Sequence, residues 1–262
     1  MTTLGLAVRD SSTMLRRNLL HMRRYPSMTF MLVAIPVILL LLFVYVFGGT
    51  LGAGLGPSGG RAQYANYLTP GILLITVAGA AQGTAISVAM DMTEGIIARF
   101  RTMKIFRPSV LTAHVLGSVV QTLIGLIVVA GVALLVGFRP NANAIEWIAA
   151  IGVLVMISLA VIWLSVACGL VSKSVETASN LPMPLILLPF LSSGFVPTDS
   201  MPTALRWFAE YQPFTPVIET LRGLLLGTGI GNSAIWAVAW CVGISAVSYL
   251  WARRLYNREV SR

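Results

Sequence analysis

The sequence predicts an all-α polytopic membrane protein, a single transmembrane domain over 1–262 with six transmembrane helices. Three observations carry this expectation. The chain is 56% hydrophobic and only 10% charged, with a mean hydropathy of +0.84, where a soluble domain carries about 25% charged residues. Six apolar stretches, 28–47, 68–90, 109–138, 148–171, 179–198 and 232–252, contain no Asp, Glu, Lys or Arg. At about 1.5 Å per residue, each is long enough to cross a hydrocarbon core of about 30 Å. Finally, the basic residues sort onto alternate connections. Arg9, Arg16, Arg17, Arg23 and Arg24 precede the first stretch, and Arg99, Arg101, Lys104 and Arg107 follow the second. Lys173 follows the fourth, and Arg253, Arg254, Arg258 and Arg262 follow the sixth. Only Arg61, Arg139, Arg206 and Arg222 remain for the other side. Lys and Arg collect on the cytoplasmic side, so both termini are expected there, as an even number of crossings requires.

Ahead of the first span, residues 1–27 read as an interfacial amphipathic helix. Leu4, Val8, Leu15, Leu19 and Met22 recur near the helical period, and the arginines are placed to meet lipid phosphates. A solvated cytoplasmic extension is the alternative. Pro36 falls inside the first span, where neighbouring helices can tolerate a kink. The glycine-rich stretch 48–60 reads as a flexible external loop. It lacks Lys, and no GxxxxGK[ST] phosphate loop occurs anywhere in the chain. The segment 91–107, DMTEGIIARFRTMKIFR, reads as a cytoplasmic helix. Ile96, Ile97, Phe100, Met103 and Phe106 mark one side, with Glu94, Arg101 and Lys104 toward the other. That pattern suits docking to a soluble partner or, alternatively, a loop held to the lipid surface.

Seven of the 13 prolines fall between 181 and 227. Each removes a backbone donor and crowds the preceding turn, so unbroken helix is not expected there. The region 199–227 reads as two short external re-entrant helices, MPTALRWFAEY and PFTPVIETLRGLLLG. Glu219 and Arg222 stand three apart and can pair on the second. His114, inside the third span, reads either as a sensor of protonation near the membrane surface or as an interfacial residue bonded to a carbonyl or lipid. Cys168 and Cys241 fall inside spans and read as small buried thiols.

These features narrow the function. Gradient-driven transporters usually keep acidic or basic residues within the membrane to carry the ion, and these stretches hold no Asp, Glu, Lys or Arg. With no nucleotide site either, the chain reads as a membrane pathway whose energy is supplied by another subunit. A net charge of +9 does not make a nucleic-acid site, because the charges flank spans rather than line a groove. No metal motif or intramembrane catalytic pair is visible.

Two stretches carry a family resemblance: 94–118, EGIIARFRTMKIFRPSVLTAHVLGS, and 189–227, PFLSSGFVPTDSMPTALRWFAEYQPFTPVIETLRGLLLG. With the order of elements, they resemble a permease subunit of the type 2 ABC exporters, closest to the daunorubicin-resistance drug-efflux group. The resemblance implies that 91–107 is a coupling helix, with Glu94, Gly95, Arg99, Phe100, Arg101 and Lys104 at ATPase-coupling positions. It implies an external gate holding Pro213, Pro216, Glu219 and Arg222. Two soluble ABC ATPase subunits would bind ATP and Mg, this chain holding no cofactor. A second permease chain, identical or different, would complete the path in a bacterial cell membrane. Lys104 stands where the family commonly has proline, and Ala113-His114 where Gly-Arg is common. Candidate path residues are Thr76, Gln82, Thr84 and Ser87 on the second span and Ser192 and Ser193 on the fifth. The readings that compete with an ATP-driven exporter are an ion-coupled secondary transporter and a non-transporting membrane scaffold.

Overall fold

The computed structural model describes residues 26–55, 60–93 and 108–259, all helix and connections. Helix α1, Pro26–Leu42, passes Pro36 without ending. It runs on through a π-helical turn, Phe43–Phe47, into α2, Gly48–Ala53. The first part of the expected glycine loop is therefore helical. Helix α3, Arg61–Thr93, is followed by α4, Pro108–Val136, and α5, Ala144–Val171. The short helices α6, Val175–Asn180, and α7, Met183–Leu187, lead into turns. Helices α8, Thr203–Tyr211, and α9, Phe214–Leu226, precede the last helix, α10, Ser233–Glu259.

Five helical stretches among the described residues are long and apolar enough to cross a membrane. Five of the six expected stretches are among them. The exception is 179–198, which is α6, α7 and a run of turns from 188 to 195. Pro182, Pro184 and Pro189 account for it: hydropathy is satisfied, but three backbone donors are missing within eight residues. The N-terminal helix expected over 1–27 lies outside the described residues except for Pro26 and Ser27, which open α1. The segment 94–107 also lies outside them, and Asp91, Met92 and Thr93 form the end of α3 rather than the start of a separate helix.

Helices α3 and α5 form the centre, and α1 and α10 expose large apolar faces to their surroundings. The main core gathers Leu68, Ile72 and Leu74 of α3, Ile157 and Val161 of α5, and Ile218 and Leu221 of α9. A second cluster, toward the other end of the bundle, joins Val88 of α3, Val115 of α4, Leu170 of α5 and Tyr256 of α10. Contact is closest where glycine removes the side chain. A Cβ on Gly169 would stand 2.8 Å from the Ala85 carbonyl oxygen and 2.9 Å from the Val88 Cβ. One on Gly71 would meet the backbone of Gly194 at 3.0 Å. Helix α5 starts on a capping box in which the Asn143 side chain accepts from the Glu146 N–H and Glu146 accepts from the Asn143 N–H.

His114 faces a carboxylate. Its Nε2 lies 3.0 Å from Asp91 Oδ2, joining α4 to α3. Neither cysteine is in a disulfide; Cys241 is buried and Cys168 partly so.

Replacing Gly169 by Val should destabilise the bundle by about 1–3 kcal/mol through overpacking. Gly83→Ala, where no atom lies within 4 Å of the added Cβ, should leave stability unchanged or slightly raised. Thermal unfolding in detergent, followed by fluorescence size-exclusion, distinguishes the two. Asn143→Ala should cost about 1 kcal/mol by the same assay.

Candidate functional site

The candidate site is built where the prolines break the chain. A helix interrupted inside a packed bundle leaves carbonyls that water cannot reach, and each needs a donor. The turns at 188–195 draw partly on the backbone, the Leu191 N–H donating to the Leu188 carbonyl at 3.1 Å, and largely on side chains. Gln212 Nε2 donates to the Leu188 carbonyl at 3.1 Å and the Leu191 carbonyl at 3.4 Å. The Ser192 hydroxyl donates to the Pro189 carbonyl, and the Tyr64 hydroxyl to the Phe195 carbonyl at 3.4 Å. The Ser193 N–H donates to Thr215 Oγ1 at 3.4 Å. The Ser193 carbonyl accepts from Arg222 Nη2 at 2.9 Å.

Arg222 is the centre of this arrangement. It lies on the inner face of α9 and is only 7% exposed. Nη2 also donates to the Tyr67 carbonyl of α3 at 3.1 Å, and Nη1 meets Glu219 Oε1 at 2.7 Å. The guanidinium carbon sits 3.8 Å from the centre of the Tyr67 ring, within range of a cation–π contact. One side chain thus ties α3, the 188–195 turns and α9 together. The planar fork of arginine makes this possible, since one guanidinium can address several acceptors at once. Arg222 Nε, Ser193 Oγ and Gln212 Oε1 are buried with no hydrogen-bond partner among the described residues.

The prolines set the angles. Pro213 stands at the N-cap of α9 with helical dihedrals, φ −65° and ψ −25°, and Pro216 is buried in its first turn. There the missing N–H is one that a helix start leaves unpaired in any case. The Pro216 carbonyl accepts from Thr220 Oγ1 at 2.7 Å. Helix α9 ends on Gly227 with φ +73°, a left-handed closure that glycine adopts without strain. Outside this corner, Arg206 of α8 bonds Glu210 and Asp199, each at 2.7 Å. The Glu210 hydrogen bond, with the nearby Asp199 charge, raises the Arg206 pKa above its ordinary value. Trp207 and Tyr211 are exposed beside it on α8.

A family model described as ABC-2 type transporter matches residues 10–226. The chain belongs to the ABC-2 type transporter family. It is similar to the daunorubicin resistance ABC transporter permease protein DrrB1 of Streptomyces coeruleorubidus, 28% identical over 259 residues, which cover 97% of this chain and 88% of that one. It is also similar to the probable doxorubicin resistance ABC transporter permease protein DrrC of Mycobacterium tuberculosis strains CDC 1551 and H37Rv. That match is 25% identical over 163 residues, 62% of this chain and 59% of that one.

In this ABC-2 family member, Pro213, Pro216, Glu219 and Arg222 come together as one corner with Ser192 and Ser193. The other candidate path residues do not join it. Thr76 and Thr84 are buried, and their hydroxyls donate back to the Ile72 and Ala80 carbonyls of their own helix. Gln82 Nε2 donates to the Ser179 carbonyl at 2.9 Å, fastening α6 to α3, and Ser87 is exposed. The six coupling positions, Glu94, Gly95, Arg99, Phe100, Arg101 and Lys104, lie outside the described residues. Sequence reasoning missed Gln212, Tyr64, Tyr67 and Thr215. Of these only Gln212 left a signal, as a lone amide between two helices just before Pro213.

Arg222→Met should destabilise the fold by about 2–5 kcal/mol, because it takes the side-chain donor from the buried Ser193 carbonyl and removes the tie between α9 and α3. Arg222→Lys should recover only part of this, lacking the fork. Glu219→Gln should cost under about 1 kcal/mol, since its carboxylate is partly solvated. Denaturation midpoints of the three purified variants give the ordering, and a Glu219→Gln loss equal to that of Arg222→Met would refute it.

Proposed function

We propose that the chain is the transmembrane subunit of an ATP-driven efflux transporter that exports an amphipathic, drug-like or lipid-like compound. The observation that carries this reading is the family match over 10–226, joined by likeness along nearly the whole chain to a permease named for daunorubicin resistance. The charge-free long stretches agree with it. On this reading the energy comes from a separate nucleotide-binding subunit, and the chain, which carries no phosphate-loop motif, is itself no ATPase. Two such subunits, carrying ATP and Mg, would dock under 94–107, and a second permease chain would complete the path. The protein would sit in a bacterial cell membrane with both termini in the cytoplasm, its surface helices against lipid.

On this reading the Arg222 corner is the external gate. Closed, it is held by hydrogen bonds between three chain segments. Opening separates α9 from α3 and gives the buried polar atoms of Ser193, Gln212 and Arg222 access to water or cargo. Ser192, Ser193 and Gln212 then line the exit, with Gln82 and Ser87 further along α3.

Gentle purification from native membrane should bring down a stoichiometric soluble protein with a Walker-type phosphate loop. Its absence, with other complexes intact, would overturn the ATP-driven reading. Glu94→Ala should lower transport at equal expression while insertion is unchanged. For the gate, Ser193→Cys in a Cys168→Ala, Cys241→Ala background is informative, because the Ser193 hydroxyl has no bond to lose. A membrane-impermeant maleimide should label it slowly at rest and at least fivefold faster when ATP and Mg are supplied to the partner. Equal rates would remove the gate from this corner.

A further inference from the structure

The Asp91–His114 pair lies at the opposite end of the bundle from Arg222, where the chain leaves α3 for 94–107 and returns into α4. Its side chains are 15% and 9% exposed. It caps the second apolar cluster, in which Val88 lies one turn before Asp91 and Val115 directly follows His114. Close by, Gly169 brings α5 against the backbone of α3 at Ala85. We propose that this pair is a coupling element, with His114 a positioning residue: it fastens both ends of 94–107 so that load on that segment moves α3 and α4 as one body. The inference rests on the reading of 94–107 as the ATPase-docking segment.

Three features support it. The pair joins the two helices through which any force on 94–107 must enter the bundle. Apolar contact alone resists separation of such helices weakly at their ends, whereas a short polar bond shielded from water fixes their relative position. The bond is also directional: the His114 Nε2–H donates to the Asp91 carboxylate oxygen at 3.0 Å. Finally, α3 runs without a break from Asp91 to Tyr67, whose carbonyl is held by Arg222. The pair and the proline-rich corner hold the two ends of one helix.

The test uses the permease with its co-purifying ATPase in lipid nanodiscs and the Ser193→Cys labelling rate as readout, which needs no knowledge of the cargo. His114→Ala should abolish the ATP-driven rise in labelling while ATP hydrolysis and retention of the ATPase stay within twofold of the parent. His114→Gln, which keeps a donor, should retain about half of the rise, and the exchange Asp91→His with His114→Asp should restore most of it. An unchanged response in His114→Ala overturns the proposal. So does a parallel loss of labelling response, hydrolysis and partner retention that the exchange does not rescue, since that describes a structural role. Failure of the parent to retain an ATPase, or to respond to ATP, counts instead against the exporter or gate readings.

Discussion

Arg222 donates to two main-chain carbonyls and a carboxylate, and the proline-rich end of the molecule depends on those bonds. The prolines between 182 and 216 free the chain from continuous helix and so allow it to turn back on itself. The same prolines strip donors from the backbone where Ser192, Ser193, Gly194 and Phe195 are buried. A charged side chain is an expensive remedy when isolated, because burying a guanidinium forfeits its hydration. Here it is surrounded by acceptors and lies over an aromatic ring. Gln212 and Tyr64 do the same for the remaining carbonyls without a charge. The corner is therefore polar in its bonding and apolar in its packing, with Phe190 and Phe195 stacked at 4.7 Å and Phe43 of the π-turn set edge-on to Phe195 at 5.0 Å.

On the proposed reading as a gate, the corner would be both stable and changeable. An apolar seam has no preferred partner and slides by small steps. A seam of directional bonds is either made or broken, which gives two discrete arrangements. Replacing the bonds with equally good ones elsewhere, to water or a polar ligand, removes most of the free-energy difference between them. The unpartnered atoms of Ser193, Gln212 and Arg222 bring the two closer still.

The long helices were legible because hydrophobicity and the absence of charge are local properties. The stretches at 68–90, 148–171 and 232–252 each became a helix extended by a few residues, and 109–138 one that ends at Val136, two residues short. The stretch at 179–198 misled because hydropathy weighs side chains and ignores the backbone. Weighed by their missing donors, Pro182, Pro184 and Pro189 argue against a continuous span. The Glu219–Arg222 pair was readable from its spacing of three. The bond from Arg222 to Tyr67 was not, because the two residues are 155 positions apart and nothing local marks a carbonyl as needing a donor. The Asp91–His114 pairing escaped for the same reason: the two are 23 positions apart, and only packing of α3 on α4 made them neighbours.

The length of α3 has its own consequence. Its 33 residues make a rod of about 50 Å, where a bilayer's hydrocarbon needs about 30 Å. Set across a bilayer, such a rod would have ends beyond the hydrocarbon, and small changes of tilt would become large excursions. A rotation of about 5° displaces one end relative to the other by roughly 4 Å. Such a displacement would carry the Tyr67 carbonyl out of hydrogen-bonding distance of Arg222. The helix has the proportions of a lever, and leaflet thickness becomes a variable in its action. Lipids that force this rod more upright or more oblique would bias the corner without touching it.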